Sequence, residues 1–123
     1  MASQKFSTKK RIKSFTYAFD GLIVLFKEEH NARIHLVAAF VVIAASIYYK
    51  ISTLEWSLIV FAIVGVFAME IINTAIENIA DFISPKKHKK IKIIKDLAAA
   101  AVLVFAIGAV VIAGVIFIPK MLY

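Results

Sequence analysis

Glu70-Ile71-Ile72-Asn73-Thr74-Ala75-Ile76-Glu77-Asn78-Ile79-Ala80-Asp81 closes a largely apolar run that begins near Leu54. At about 100° per residue on a helical wheel, Asn73, Thr74, Glu77 and Asp81 fall within about 60° of Glu70. Isoleucine and alanine take most of the remaining positions, so this helix is lipid-compatible on one side and strongly polar on the other. An ionisable group inside a bilayer costs about 3 kcal/mol or more and is usually retained because a pathway, a proton relay or a ligand site needs it. The competing explanation is that the carboxylates pair with Lys95, Arg33 or His35 to hold a bundle together. Buried ion pairs are a poor source of stability, which weighs against that explanation.

The rest of the chain supports a membrane setting. Of its 123 residues 62% are hydrophobic, against roughly 45–50% in soluble domains. Residues about 5–28 are too charged to span, yet Phe15, Phe19, Leu22 and Phe26 recur at helical spacing, which predicts an amphipathic helix lying on the membrane surface. A first span is predicted over about 32–49. Its uncharged part, Leu36 to Tyr49, is shorter than the roughly 20 residues a bilayer needs, so Arg33 and His35 belong near the interface. A second span covers about 54–83, with Trp56 as an interfacial aromatic and Ser84-Pro85 as its stop. A third covers about 93–118 and ends before Pro119. The expected fold is a single all-α membrane domain over 1–123: one surface helix and three transmembrane helices.

The net charge of +7, from 15 Lys and Arg against 8 Asp and Glu, is not spread evenly. Lys5, Lys9, Lys10, Arg11 and Lys13 precede the first span, and Lys86, Lys87, Lys89, Lys90, Lys92 and Lys95 lie between the second and third. Basic residues concentrate in cytoplasmic segments, so the N-terminus and the 84–95 loop are predicted inside a bacterial inner membrane and the C-terminus outside. That placement accounts for the charge without nucleic acid. The absence of cysteine removes disulfides, thiolate nucleophiles and thiolate-ligated metals. A cleaved signal peptide is not expected either, since no apolar core with a small-residue cleavage site occurs in the first 30 residues.

Depth divides the polar stripe. With a rise of about 1.5 Å per residue, Glu77 lies about 10 Å nearer the cytoplasm than Glu70, and Asp81 nearer still. Close to the interface, a hard carboxylate suits Mg²⁺, which takes one or two protein carboxylates and completes its shell with phosphates and water; Glu77 has that position. Deeper, a carboxylate in a low-dielectric setting suits a general base toward a hydroxyl at headgroup depth, and Glu70 has that one. Glu28-Glu29 offers a second metal ligand, or two solvated charges. Pro85-Lys86-Lys87-His88-Lys89-Lys90 with Lys92 and Lys95 reads as a polyphosphate clamp, or as topology and attraction to anionic lipid. The glycines at 21, 65, 108 and 114 cannot form a P-loop.

The motif Glu70-x-x-Asn73-Thr74-Ala75-x-Glu77-x-x-x-Asp81 resembles the signature of the prokaryotic diacylglycerol kinase family. So do Glu29-His30-Asn31, Lys95-Asp96 followed by Ala98 to Ala101, and Phe117-Ile118-Pro119-Lys120. Asn73 to Glu77, His35 and the Ile51-to-Trp56 connector look more like the Gram-positive undecaprenol kinases within that family. The resemblance implies ATP-dependent phosphorylation of a lipid alcohol by a homotrimer. Glu70 would be the proton acceptor oriented by Asn73, Glu29 and Glu77 would hold Mg²⁺ against ATP, and Glu70 and Trp56 would face the lipid substrate. On the nucleotide, Tyr17 would meet the adenine, Lys86, Lys87 and His88 would form the loop, and Lys95 and Asp96 would contact phosphate and ribose. The family's N-terminal basic residue aligns with Lys10, next to Arg11, and either would contact phosphate. The rival readings are a diacylglycerol substrate in place of undecaprenol, an ion or proton channel subunit lined by Glu70, Glu77 and Asp81, and a purely structural membrane protein.

Overall fold

In the computed structural model, residues 7–123 are described and every extended element among them is a helix. The order is α1 (Thr8–Glu28), α2 (His30–Tyr48), α3 (Thr53–Ile83) and α4 (Lys89–Leu122). Lys5 and the start of the helix expected over 5–28 lie outside the described residues. α1 begins where it does because the Ser7 hydroxyl accepts from the Lys10 backbone N–H at 3.3 Å, filling one of the four donors a helix leaves open at its start.

Among the described residues, three helices are long and apolar enough to cross a membrane: α2 with 19 residues, α3 with 31 and α4 with 34. A hydrocarbon core of about 30 Å needs about 20 helical residues, so α3 and α4 extend past it into the headgroup region. Side chains that face outward along them are large and apolar, among them Phe40, Val41, Val60, Phe61, Leu103 and Val104. Those that face inward are often small, as at Ala32, Ala39, Ala62, Ala80 and Ala98. Helices in lipid gain little from apolar burial as such, and small contact residues let the backbones approach for dispersion contacts.

Two helix ends differ from the sequence expectation. α4 starts at Lys89 instead of Ile93, because the His88 ring accepts from the Lys90 N–H at 3.1 Å and caps the basic turn as helix. It also runs through Pro119 to Leu122. A proline removes one N–H and crowds the carbonyl four residues back, but at a watery helix end that carbonyl can turn to solvent. The last turn is held besides by Lys120 Nζ, 3.1 Å from a Glu55 carboxylate oxygen at the start of α3. There Ser52 and Glu55 form a reciprocal cap, with bonds of 3.2 and 2.9 Å. Beneath it Ile51, Ile59, Ile116 and Phe117 form a buried cluster with Tyr49 and Trp56 against it.

α3 and α4 make the most extensive pairing in the fold, and Gly65 sets their approach. A Cβ there would lie 1.9 to 2.8 Å from three atoms of the Phe105 ring. That ring also packs on Phe61 at a centroid distance of 5.8 Å. Gly65→Ala must push the ring aside, and overpacking of this kind costs about 1–3 kcal/mol. A lowered midpoint of thermal unfolding in detergent is the expected result; an unchanged midpoint would show that Phe105 moves aside freely.

Candidate functional site

The site begins at the elbow between α1 and α2. Glu29 alone joins them, in extended backbone geometry (φ −102°, ψ 110°), and its side chain makes no capping bond to α2. Its carboxyl is therefore free for another purpose. From the first turn of α2, Arg33 reaches back with Nε to the Phe26 carbonyl and a terminal nitrogen to the Lys27 carbonyl, both at 2.7 Å. These are last-turn carbonyls of α1 that no helix bond uses, so the guanidinium fixes the angle of the elbow. Fully buried Leu25 and Ala32 lie at the elbow, and Phe26 meets Phe67 of α3 edge to face at 6.0 Å.

So held, the elbow delivers two carboxyl groups to α3. Glu28 accepts from Asn78 Nδ2 at 3.0 Å, and the same amide donates to the Thr74 carbonyl at 2.8 Å. Glu29 shares a hydrogen bond with Glu77, and this raises its pKa from 4.5 to about 7; burial and the charges of Glu77, Glu70 and Glu28 add to the effect. Two carboxyl groups sharing a proton mark a place where a divalent cation would relieve repulsion. A pair of carboxylates is also the donor set Mg²⁺ takes when phosphates and water complete its shell. The residues present fit the ion.

Farther along the same face of α3, polarity goes inside. Glu70 is 1% exposed, and Asn73 and Thr74 are each 6% exposed. Asn73 Nδ2 donates to Glu77 Oε1 at 3.1 Å, tying the deeper group to the shallower carboxylate. His35 Nε2 of α2 stands 3.3 Å from Glu70 Oε1, the contact of an ion pair without an aligned hydrogen bond. Three buried atoms on this face, Glu70 Oε1, Asn73 Oδ1 and Thr74 Oγ1, have no hydrogen-bond partner. Each such group costs about 1–3 kcal/mol, which is sustained where a ligand supplies the missing partner. From His35 an apolar cleft of about 160 Å³ leads away between α2, α3 and α4 past Ala39, Val66, Ala62, Ile59 and Ala109.

A second, polar hollow of about 500 Å³ lies at the basic end, lined by Asp81, Lys86, Lys87, His88, Lys95 and Asp96 among others. Five of the expected nucleotide residues, Lys86, Lys87, His88, Lys95 and Asp96, therefore come together. Lys95 is paired with Asp81, and Lys92 Nζ lies 2.6 Å from Asp96 one turn on. Asp81 departs from the expected stripe: it is exposed and turned toward α4, where it pairs with Lys95.

Other expected residues stay apart in the single chain. Tyr17 lies about 18 Å along the helix from Glu29, and Lys10 and Arg11 lie farther still; all three are on exposed positions of α1. Trp56 is about 21 Å from Glu70 along α3, at the opposite end of the bundle. Sequence reasoning missed Asn78 and gave Arg33 and His35 no role beyond general charge pairing. Asn78 falls about 80° from Glu70 on the wheel and was within reach of the same periodicity. The carbonyl partners of Arg33 depend on the elbow, which has no sequence signature.

Comparison with known proteins adds an independent line. The family model described as prokaryotic diacylglycerol kinase matches residues 16–117. A Bacillus subtilis protein named undecaprenol kinase is 39% identical over 109 residues, covering 89% of each chain. A Synechocystis protein named diacylglycerol kinase is 34% identical over 110 residues, 89% of this chain and 63% of its own length. One from Helicobacter pylori, also named diacylglycerol kinase, is 35% identical over 97 residues, 78% of this chain and 75% of its own.

Proposed function

From the membership of this chain in the prokaryotic diacylglycerol kinase family, we propose that it transfers the γ-phosphoryl group of ATP to the hydroxyl of undecaprenol, giving undecaprenyl phosphate. The chain is a multi-pass membrane enzyme, a lipid kinase, which displaces the channel and purely structural readings. The observation that carries the site assignment is the buried Glu70, whose unpartnered Oε1 lies 3.3 Å from the His35 ring that lines the apolar cleft, two helical turns from a proton-sharing pair of carboxyls.

In this reading the hydroxyl of the lipid enters beside Glu70 while its chain lies in apolar surroundings. Glu70 accepts the hydroxyl proton as the oxygen attacks the γ-phosphorus in line, and ADP departs without a covalent enzyme intermediate. Asn73, held by Glu77, orients Glu70 and leaves its own Oδ1 for the substrate. Glu29 and Glu77 would hold Mg²⁺, which would supply positive charge toward the nucleotide's phosphates. Lys95 turns from Asp81 toward the transferring group, with Lys86, Lys87, His88 and Asp96 around the rest of the nucleotide.

Tyr17, Lys10 and Arg11 complete the nucleotide site only if α1 lies along the membrane surface and a neighbouring copy contributes, which favours a homotrimer. The site then faces the cytoplasm, with the N-terminus and the 84–95 loop inside a bacterial inner membrane and the C-terminus outside, all within one domain over 1–123. Identity to the Bacillus subtilis undecaprenol kinase supports the polyprenol, while the diacylglycerol kinases among the relatives support the second reading, diacylglycerol to phosphatidic acid. Side-by-side assays in detergent with ATP and Mg²⁺ decide between them. A higher kcat/KM for undecaprenol is expected, and a higher value for diacylglycerol would reverse the assignment. No phosphorylation of either lipid would remove both.

A further inference from the structure

We propose that His35 is the positioning residue for Glu70, its Nε2 facing that carboxylate and keeping it aimed at the lipid hydroxyl; this rests on Glu70 being the base. A base has to be charged before it can accept a proton, and a carboxylate removed from water keeps its charge at low cost only when a donor or a positive group faces it. Glu70 is almost fully enclosed, and its own Oε1 and two polar atoms on the same face, Asn73 Oδ1 and Thr74 Oγ1, lack hydrogen-bond partners within the chain. His35 Nε2, at 3.3 Å, is the nitrogen that stands against it.

The neighbouring charged groups point elsewhere. On α1, Glu28 accepts from Asn78 and Glu29 bonds with Glu77. On α2, Arg33 is committed to the carbonyls of α1, with His30 beside it. On α3, Glu77 receives the Asn73 amide, and Asp81 pairs with Lys95 of α4, where Asp96 pairs with Lys92. Among the described residues none of these supplies a donor to Glu70. The His35 side chain is 26% exposed, so its ring is reachable by water from one side while its Nε2 faces the carboxylate. It also stands at the head of the apolar cleft, where a lipid hydroxyl would meet both groups.

The proton and electron account is that of the proposed transfer. The hydroxyl proton goes to Glu70, the oxygen lone pair forms the new P–O bond, and the β–γ bond breaks toward ADP. His35 exchanges no proton with substrate in this scheme; it sets the direction of the group that does.

The test compares His35→Leu, which suits an apolar helix, with His35→Gln, which keeps an amide donor, in the full chain in detergent. For His35→Leu, kcat for the lipid alcohol at pH 7 is expected to fall at least about tenfold, the scale of losing one polar contact to a charged group. KM for ATP should stay near wild type, a split between kcat and KM that a merely structural role would not produce. His35→Gln should recover most of the loss in kcat. Adding His35→Leu to Glu70→Gln should cost nothing further, because the two act as a unit. The proposal is overturned if His35→Leu keeps the wild-type kcat, if Gln does no better than Leu, or if the double variant is slower than Glu70→Gln. Full turnover in Glu70→Gln alone would instead remove the base assignment, so the two failures are distinguishable.

Discussion

Replacing Glu70 by Gln is expected to lower kcat for lipid phosphorylation by about 10²- to 10⁴-fold, the range a positioned general base contributes. The substitution keeps volume and hydrogen-bonding capacity, so the buried face of α3 with Asn73 and Thr74 should keep its packing. Because Glu70 lies deeper than the Glu29–Glu77 pair, binding of nucleotide with Mg²⁺ should survive. The diagnostic result is therefore a collapse of kcat with KM for ATP nearly unchanged. A parallel rise in KM for ATP would place Glu70 with the metal instead, and retained turnover would deny it any role in proton transfer.

Glu77→Gln is the second large effect. It removes one of two carboxylates proposed for the cation and also the partner that raises Glu29. At fixed Mg²⁺ we expect a loss of about 10²-fold or more in kcat/KM, partly recovered by raising the Mg²⁺ concentration, as suits a lost ligand of a hard cation. The pH response carries a distinct signature. In the wild type a cation must displace the proton that Glu29 holds up to about pH 7, so metal affinity should climb with pH to that value and level off above it. In Glu77→Gln the climb should end at lower pH, because the hydrogen bond and charge that raise Glu29 are gone. Without metal the folded state binds the extra proton between the ordinary carboxyl range and about pH 7, so stability should fall as pH rises through that window. Added Mg²⁺ should offset the fall. Isothermal titration across pH 5.5 to 8, with thermal midpoints with and without Mg²⁺, measures both; a flat pH response would separate Glu29 from the cation.

How much of this was legible depended on which physical rule governed each residue. Periodicity and apolar length brought out the three spans to within a few residues, since the bilayer imposes both. They failed at the two ends of α4, where local chemistry prevails: a histidine cap turned a basic stretch into helix, and an ion pair held the turn after Pro119. The stripe on α3 was visible as angle but not as coverage. Asp81 has nearly the same wheel angle as Glu70, yet it lies exposed against Lys95 of α4 while Glu70 is enclosed. Glu28-Glu29 was legible as a second carboxylate for Glu77, but the choice of Glu29 came only from resemblance, because nothing in 28–33 announces that Arg33 will close the elbow by binding the carbonyls of Phe26 and Lys27.

The seam between the two halves of the fold has a consequence for biosynthesis. Glu29, Arg33 and His35 belong to the α1–α2 limb, Glu70, Asn73, Glu77 and Lys95 to the α3–α4 limb, and the limbs are joined only by the short stretch around Lys50 at the far end of the helices. A ribosome delivers the first limb complete before any of the second has emerged. The nascent chain therefore carries one of the two carboxylates proposed for the cation and the proposed partner of a base not yet made, and with that site it is inactive until the third hydrophobic segment has been threaded beside the first two. Phosphate transfer at the proposed site then begins only after translocation is nearly finished.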